Sequence, residues 1–447
     1  MWIIGLCTVA VLVVYLTYWL NKWSNPKCNG VFPPGSMGLP LIGETLQMTV
    51  PSDSLDLHAF IKKRAQRYGP IFRSSLVGRP IVLSTDLEFN HYIVKQEGRL
   101  VEIWYLDIFD KFLGMKGENR ISAVGNVHKY IRSITLNHLG ADSVKEKLLP
   151  QMEEVVNKTL QTWSSKPSVE MRDAASKMLL DFSARIFCSY DAEKLLQLKL
   201  SEKFANTLGC FMSFPLNIPG TTYHKCLKSQ KEAMSMLRKI VKEKITSPEK
   251  RSENLLDQAI DDMEKEKFLS EDFIVQLLFV ILFASFETSV SVLLALKFLA
   301  EYPAALQELT VYELEAILKR RENPNSILIW DEYKSMTSTF QVINEVLRMG
   351  NVSPGLLRKA LKDIEFKGYT IPAGWAIMLV NSAFQVNPNT FKDRLQEFWS
   401  FATNDLDPLV VSKNFMPFGR GIGLCSGAEY IKAFMATFLH VLVTKYR

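Results

Sequence analysis

A chain of 447 residues, 47% of them hydrophobic and 22% charged, can bury a large core. Its 53 Lys and Arg residues exceed its 47 Asp and Glu residues by only six, and the charges are dispersed along the sequence. Nucleic-acid-binding domains concentrate basic residues in patches, so this balance argues against a nucleic-acid partner. The length allows one large domain or two to three ordinary ones.

The N-terminus contains an uncharged apolar segment, Met1 to Leu20, about the length that crosses the hydrocarbon core of a bilayer. Lys22 and Lys27 follow it, and no acidic residue occurs before Glu44, so the positive-inside rule predicts that the body of the protein is cytosolic. A cleaved secretory signal is the alternative, but the charged n-region is missing and the apolar run is long. We therefore expect residues 1–28 to form an uncleaved, single-pass membrane anchor.

A proline- and glycine-rich segment, residues 29–45, follows the anchor and predicts a stiff, extended linker. Alternating β-branched residues near 71–85 predict a hairpin, and residues 364–380 predict a second strand region. Most other segments have helical spacing, including Ser143–Trp163, Lys225–Ile245 and Trp330–Arg348. Since no second linker is evident, we expect residues 46–447 to form one large domain, mainly α-helical with a small β region.

The longest predicted helix begins after Ser270, a good N-cap, and ends before Pro303. Its middle is apolar on every face, which is typical of a second membrane span or of a helix through the centre of a large domain. Four polar side chains interrupt the apolar surface: Gln276, Glu287, Thr288 and Lys297. They favour the internal helix over a membrane span.

The six cysteines do not form the pattern of a disulfide framework, because they are scattered and one lies in the proposed anchor. They are Cys7, Cys28, Cys188, Cys210, Cys226 and Cys425. On a cytosolic domain they stay reduced, so each is either a small buried hydrophobe or a ligand.

The stretch FMPFGRGIGLCSGAEY places Cys425 in a glycine-rich turn before a predicted helix, Ala428 to Thr444. A dinucleotide-binding loop needs a different glycine spacing after a strand, which Pro417 disfavours. Zinc needs at least three protein ligands, and no second Cys or His occurs in the loop. A thiolate beside a helix N-terminus suits haem iron, because the porphyrin supplies the equatorial ligands. On spacing alone, a haem ligand and a buried structural cysteine both remain open.

The loop contains Phe418, Gly419, Gly421, Cys425 and Gly427 in a fixed spacing. This spacing resembles the haem-binding loop of the cytochromes P-450, the haem-thiolate monooxygenases. Further landmarks occur in family order, namely His128 and Arg132 in HKYIR, the segment ASFET at 284–288, and Glu345 with Arg348 in EVLR. The resemblance covers essentially the whole chain and implies the cytochrome P-450 fold with an N-terminal transmembrane helix.

The resemblance implies a role for each of these residues. Cys425 is expected to ligate the iron of haem b and to favour O–O bond cleavage, as the one protein ligand to the metal. Glu287 and Thr288 are the expected catalytic residues, which hold water and deliver protons. Glu345 and Arg348 are expected to form a structural pair. The other expected haem contacts are Arg132, His128, Arg358, Phe418 and Gly419, with the propionates paired by Arg132, His128 and Arg358.

Several segments, including FPPGSMGLPLIGET, FPLNIPGTTYHKCLK and KGYTIPAGW, resemble plant enzymes that oxidise triterpenoids and sterols, and specifically the cucurbitane-oxidising branch. The resemblance places residues 101–112, 208–216 and 351–357 near the substrate. These segments are rich in Phe, Leu, Trp and Pro, which suits a rigid apolar polycycle. The implied partners are NADPH–cytochrome P-450 reductase and the endoplasmic reticulum membrane.

The sequence departs from the family pattern at four residues. Gly423 replaces an arginine that usually pairs a propionate, Ser426 replaces an apolar residue, and Ser285 replaces the glycine of the oxygen-activating helix. Ser400 stands where related plant sequences have an arginine that joins the buried Glu–Arg pair. The chain also ends at Arg447, where relatives continue into further strands.

Two functional classes therefore remain. The first is an active, membrane-anchored monooxygenase that uses O2 and electrons from NADPH to oxidise a tetracyclic triterpenoid or a sterol. The second is a diverged paralogue that binds haem or a ligand and turns over little substrate. The first is favoured because Cys425, Thr288 and the Glu345–Arg348 pair are all retained.

Overall fold

In the structure, a computed structural model, the chain divides into two units. One contains Met1–Tyr105 and Pro354–Phe384, and the other contains Leu106–Ser353 and Gln385–Arg447. We call them the first and the second unit. The described residues are 2–26, 28–50, 56–104, 125–190, 199–208, 213, 216–247, 252–309, 313, 315–323, 326–350, 353, 355–387 and 414–446, without the side chains of 2–10 and 208.

The first unit is built around a sheet. Its strands are β1 (Ile71–Leu76), β2 (Arg79–Ser84), β3 (Val101–Ile103), β4 (Leu356–Ala360), β5 (Ile364–Phe366), β6 (Tyr369–Ile371) and β7 (Ala376–Leu379). Its helices are α1 (Trp2–Ser24), α2 (Thr45–Met48), α3 (Ala59–Tyr68) and α4 (Leu87–Lys95). Five strands form a sheet in the order β1-β2-β7-β4-β3, while β5 and β6 form a separate pair.

The predicted hairpin is present, since β1 and β2 pair antiparallel with Leu76 opposite Arg79. Val77 and Gly78 connect them with φ angles of 53° and 72°, the left-handed conformation that tight hairpin turns need. The second predicted strand region is also present and divides into β5, β6 and β7. Because β2 lies parallel to β7, the last strand of the second region joins the hairpin in one sheet, while β5 and β6 remain a separate pair.

The proline-rich segment lies against the edge of β1. The Pro34 carbonyl accepts a hydrogen bond from the Arg73 N–H at 2.9 Å, and the Ser75 carbonyl accepts one from the Glu44 N–H at 2.8 Å. Gly43 has a φ of 67°, and a Cβ there would lie 2.1 Å from the Ser75 oxygen, so the close approach requires glycine. The segment is therefore paired with the sheet edge, and it turns between Leu39 and Gly43, where the Gly43 N–H donates to the Leu39 carbonyl.

The second unit is helical. Its longer helices are α5 (Asn126–Leu139), α7 (Leu149–Ser164), α8 (Met171–Cys188), α9 (Leu200–Leu208), α10 (Thr222–Thr246), α12 (Glu271–Glu301), α16 (Thr337–Met349) and α18 (Ala428–Lys445). The shorter ones are α6 (Ala141–Ser143), α11 (Leu255–Asp261), α13 (Pro303–Gln307), α14 (Glu315–Arg320) and α15 (Trp330–Ser335). Helix α17 (Ser382–Gln385) is shared, since its first three residues belong to the first unit and Gln385 belongs to the second. A π-helical turn, Val144–Leu148, precedes α7, and 3₁₀ turns occur at Asp262–Glu264 and Gly421–Gly423.

Helix α12 runs through the core of the second unit, as predicted. The Ser270 hydroxyl caps it by accepting the Phe273 N–H at 3.2 Å, and Arg238 pairs with Asp272 in its first turn at 2.5 Å. The helix packs against α8, α10, α16 and α18. Among the described residues it is the helix long and apolar enough to cross a membrane, but 61% of its apolar window is buried in the protein. Its apolar surface therefore serves packing.

The predicted helical stretch from Trp330 to Arg348 is two helices, because the backbone leaves the helical region at Met336, where ψ is 66°. A carboxylate from elsewhere in the chain caps the start of the second helix. Glu313 accepts hydrogen bonds from the backbone N–H groups of Ser338 and Thr339, the latter at 2.9 Å. Because this cap comes from a distant residue, local spacing does not reveal the break.

Candidate active site

The Cys425 loop is held by its own backbone. The Cys425 N–H donates to the Phe418 carbonyl at 3.0 Å, and the Gly419 N–H donates to the Met416 carbonyl at 3.1 Å. Gly419 and Gly421 have φ angles of 75° and 71°, which side chains with a Cβ rarely adopt. These two glycines therefore allow the chain to turn tightly enough to present the cysteine before α18.

Cys425 is an exposed residue of the loop. The surrounding protein desolvates the thiol and raises its pKa, while a hydrogen bond from the Gly427 N–H and the nearby Arg132 guanidinium oppose this rise. Both opposing groups, and the N-terminus of α18, stabilise negative charge on sulfur. Cys188 is different, because it is fully buried and desolvation raises its pKa to about 12. Cys188 is therefore buried as a small apolar residue, whereas Cys425 has neighbours that favour its thiolate.

Helix α5 brings Arg132 to this loop. Its Nη1 donates to the Leu424 carbonyl at 2.7 Å, so the guanidinium lies beside the residue that precedes the cysteine. His128 lies one turn earlier on the same helix and is half-buried. Phe418 packs on the core of the second unit, with the Lys432 ammonium 5.4 Å from its ring centre. The structure thus brings Arg132 and Phe418 to the Cys425 loop.

Glu287 and Thr288 lie in the middle of α12. The Thr288 hydroxyl donates to the Ser285 carbonyl at 2.7 Å. The Oε1 atom of Glu287 is buried with no hydrogen-bond partner, and desolvation raises the pKa of this carboxyl to about 7, a rise that Arg172 opposes. Ala284, one turn away, is exposed although the helix is otherwise largely buried. This segment of α12 therefore combines a small exposed residue with an acid that is partly protonated near neutral pH.

The predicted pair Glu345 and Arg348 is present and fully buried, with side-chain exposures of 1% and 0%. The guanidinium donates to both carboxylate oxygens, at 2.9 Å from Nε and 2.5 Å from Nη2. Its Nη1 donates to the backbone carbonyl of Gln385 at 2.8 Å. The sequence indicated a weakened network because Ser400 replaces an arginine, and Ser400 lies outside the described residues. The Gln385 carbonyl is a further partner that sequence reasoning missed, since any residue type can supply it.

Arg358 lies on β4 of the first unit and is also buried. Its Nε donates to a Glu97 carboxylate oxygen at 2.8 Å, Nη2 bonds to the same carboxylate, and Nη1 donates to the Leu357 carbonyl at 2.8 Å. The Arg358 guanidinium is therefore hydrogen-bonded to partners from its own unit. Its expected contact with a haem propionate stays a prediction.

The departures from the family pattern have different surroundings. Gly423 ends the 3₁₀ turn of the cysteine loop, and Ser426 is half-buried. The hydroxyl of Ser285 is hydrogen-bonded to that of Ser183, a residue that the sequence analysis missed. The expected substrate-contacting segments lie largely outside the described residues, at 105–112, 209–212, 214–215, 351–352 and 354.

The site fits a cofactor that takes a single protein ligand. In the part of the chain that the structure describes, no group of three or more His, Cys, Asp or Glu side chains could hold a metal ion by itself. Cys425 offers one thiol in an exposed loop, with two groups that favour the thiolate. An iron whose other ligands come from a porphyrin matches this donor set.

Comparisons with known proteins point the same way. A sequence model of the cytochrome P-450 family matches residues 33–447. Cucurbitadienol 11-hydroxylase from Siraitia grosvenorii is 51% identical over 100% of this chain and 94% of its own length. Beta-amyrin 16-alpha-hydroxylase from Maesa lanceolata is 49% identical with the same coverage. The structure of retinoic acid-bound cyanobacterial CYP120A1 is 23% identical, with a TM-score of 0.79 over 93% of this chain and 92% of that one, and shares the fold.

Removing the cation of the buried pair should destabilise the protein. Arg348→Met leaves the Glu345 carboxylate buried and uncompensated, so we expect the free energy of unfolding to fall by about 3 to 5 kcal/mol. Lys297→Met is the control, because the Lys297–Glu301 pair is exposed and contributes less than about 1 kcal/mol. Thermal unfolding of the purified proteins measures both changes, and equal shifts would contradict the structural role of the pair.

Glu287 should make stability depend on pH. Because the pKa in the folded protein is about 7 and the ordinary value is 4.5, folding favours the protonated carboxyl. The stability from this group is present at low pH and is lost as the pH rises through 7, by about 1.4 kcal/mol for each unit of pKa difference. Glu287→Gln should therefore gain in melting temperature over the unmodified protein between about pH 5 and pH 8.

The control is Glu301→Gln, which changes an exposed carboxylate on the same helix. The difference in melting temperature between Glu301→Gln and the unmodified protein should be constant over the same pH range. A constant difference for Glu287→Gln as well would show that the Glu287 carboxyl titrates normally.

Proposed function

Because the chain belongs to the cytochrome P-450 family, we propose that this cytochrome P-450 monooxygenase hydroxylates a tetracyclic triterpenoid of the cucurbitadienol type. The observation that carries the substrate class is the similarity, along the whole chain, to cucurbitadienol 11-hydroxylase. Beta-amyrin 16-alpha-hydroxylase, which is similar over the same range, supports a triterpenoid. Cucurbitadienol and beta-amyrin are both large, rigid and apolar, in line with the composition of the expected substrate-contacting segments.

The proposed reaction inserts one oxygen atom into a C–H bond. The substrate R–H, O2, NADPH and a proton give R–OH, NADP⁺ and water, so one oxygen atom enters the product and the other is reduced to water. NADPH–cytochrome P-450 reductase is the proposed source of the two electrons. The protein must therefore bind an apolar substrate, receive electrons and supply protons in a controlled way.

Haem b, when bound, supplies a thiolate-ligated iron at which O2 is activated. In the proposal Cys425 provides the thiolate, and the Gly427 N–H and Arg132 stabilise its charge. Arg132 and His128, both on α5, would pair with the propionates, while Phe418 and Gly419 belong to the loop that carries the cysteine. Arg358 is the third proposed propionate contact, and in the structure its guanidinium donates to Glu97.

Glu287 and Thr288 are proposed to manage protons. A carboxyl whose pKa is about 7 is partly protonated at neutral pH, so Glu287 can both take up and release a proton under working conditions. Its buried and unpartnered Oε1 leaves that oxygen available to a proton carrier such as water. Thr288 holds its hydroxyl on the Ser285 carbonyl and can turn it to donate elsewhere.

We further propose that residues 1–28 anchor the protein in the endoplasmic reticulum membrane, with the linker at 29–45 and the catalytic domain at 46–447 on the cytosolic side. Helix α1 exposes large apolar side chains, with 68% exposure at both Val11 and Val14, that a bilayer would cover. Removing residues 1–28 should move most of the protein from the lipid fraction to the soluble fraction in a flotation gradient. A truncated protein that still floats entirely with lipid would contradict a single anchor.

Activity can be tested with the full-length protein, reductase, NADPH and cucurbitadienol. We expect a product that has gained one oxygen atom, and we expect Cys425→Ala to form none because it loses the thiolate. Cys28→Ala is the matched control, since Cys28 lies in the first unit, and it should keep the activity.

The other outcomes separate the alternatives. A parent protein that binds haem through a thiolate but oxidises neither cucurbitadienol nor beta-amyrin would contradict the substrate class. A protein that binds no haem would support the diverged binding paralogue instead.

A further inference from the structure

Three buried hydroxyl groups connect three helices of the second unit. The Tyr430 hydroxyl on α18 lies 3.0 Å from the Ser183 hydroxyl on α8. The Ser183 hydroxyl is in turn hydrogen-bonded to that of Ser285 on α12. Their residues are 4%, 0% and 6% exposed, respectively, so solvent does not compete for these bonds. We call these three residues the hydroxyl chain.

The tyrosine end of the hydroxyl chain is fixed by packing. The Tyr430 ring stacks on Phe182, with ring centres 6.1 Å apart and an angle of 3° between the planes, and contacts Phe434 at 6.4 Å. Desolvation raises the pKa of Tyr430 to about 12, so the phenol stays protonated at neutral pH and can donate. A rigid ring with a protonated hydroxyl gives Ser183 a partner whose position scarcely varies.

Both ends of the hydroxyl chain adjoin the candidate active site. Tyr430 lies in the first turn of α18, five residues after Cys425. Ser285 belongs to the segment ASFET, and its carbonyl accepts the hydrogen bond from the Thr288 hydroxyl. The side chain of Ser285 is therefore connected to Tyr430 of α18 both through Ser183 and by its own interaction with the phenol, while its backbone holds Thr288. The hydroxyl chain thus runs from the start of the cysteine helix to the segment that carries the candidate proton donors.

We propose that Ser183, Ser285 and Tyr430 are positioning residues that hold the ASFET segment of α12 in place relative to the start of α18. The proposal rests on the proposed monooxygenase function, because what it positions is Thr288 with respect to the Cys425 loop. A glycine at position 285, which the family pattern has there, offers no hydroxyl and could not make this connection. The departure at Ser285 is therefore a substitution that adds a constraint next to the proton-delivering residues.

The constraint should influence how protons are delivered, because proton transfer depends steeply on the position of the donor. When delivery fails, the electrons of NADPH are lost in a side reaction in which NADPH, a proton and O2 give NADP⁺ and hydrogen peroxide. Loosening the ASFET segment should therefore lower the amount of product formed per NADPH consumed and raise the amount of peroxide. Substrate binding should change less, since the hydroxyl chain is buried between helices.

A second pair of serines offers a matched control. The Ser176 and Ser289 hydroxyls lie 2.8 Å apart and join the same two helices, α8 and α12. Both residues are buried, like those of the hydroxyl chain, but the structure shows this pair without a bond to α18. Ser176→Ala therefore removes a buried hydroxyl contact between α8 and α12 while the connection to the cysteine helix remains.

The test compares Ser183→Ala, Tyr430→Phe and their double variant with Ser176→Ala in the full-length, haem-loaded protein. Cucurbitadienol conversion, NADPH consumption and peroxide formation are measured together, with thermal unfolding of each variant. We expect each single variant of the hydroxyl chain to lower the product formed per NADPH by about tenfold, and the double variant to lower it no further. Ser176→Ala should stay within about twofold of the parent while losing similar thermal stability.

Three results would overturn the proposal. The first is an unchanged yield per NADPH in Ser183→Ala and Tyr430→Phe, and the second is an equal loss in Ser176→Ala, which would make the effect one of general stability. The third is additive changes in melting temperature for Ser183→Ala and Tyr430→Phe, because members of one hydrogen-bonded chain should be coupled. A parent protein without a thiolate-type haem spectrum, or without product, marks the failure of the proposed function itself, and the positioning role then falls with it.

Discussion

The fixed position of the Cys425 sulfur is the constraint on which the rest of the site depends. A ligand to iron must be accessible, yet an accessible side chain in a loop is normally free to move. In this protein the loop is held instead by its backbone, through the bond from the Cys425 N–H to the Phe418 carbonyl and the bond from Arg132 to the Leu424 carbonyl. Two left-handed glycines make that path possible. The buried helices of the second unit then support a loop that presents one cysteine.

Two acids of the second unit, Glu345 and Glu287, have contrasting surroundings. Glu345 is fully paired, because the Arg348 guanidinium bonds to both of its oxygens and also to a backbone carbonyl. Glu287 has one oxygen without a partner and a pKa near neutrality. Removing the cation of a buried pair is strongly destabilising, whereas a carboxyl with an unpaired buried oxygen and a perturbed pKa is typical of proton chemistry. The contrast supports a structural role for the first and a catalytic role for the second.

Features that depend on local sequence could be predicted. The hairpin at 71–85 was predicted from alternating β-branched residues around a glycine turn. Helix α12 was predicted from the Ser270 N-cap and the apolar run that follows it, and α18 from the helical spacing of the segment after Cys425. The Glu345–Arg348 pair was predicted from the resemblance to the family's E-x-x-R, and its spacing agrees, because residues three apart share one helix face.

Features that depend on distant partners could not be predicted in the same way. The Gln385 carbonyl that accepts from Arg348, the Glu97 carboxylate that occupies Arg358 and the Glu313 carboxylate that caps α16 all come from other parts of the chain. Only one feature of the sequence indicated the hydroxyl chain, namely the serine at position 285 where the family pattern has a glycine. Its meaning required the positions of α8 and α18, because a serine in a core helix can equally bond to its own backbone.

The binding of haem through the Cys425 thiolate is tested most directly by the carbon monoxide difference spectrum of the reduced, full-length protein. The spectrum depends on the ligand opposite carbon monoxide and therefore distinguishes a thiolate from a neutral thiol or a nitrogen ligand. We expect a thiolate-type band that carries the full haem content of the sample. A protein without haem, or with a band typical of a neutral ligand, would contradict the assignment of Cys425.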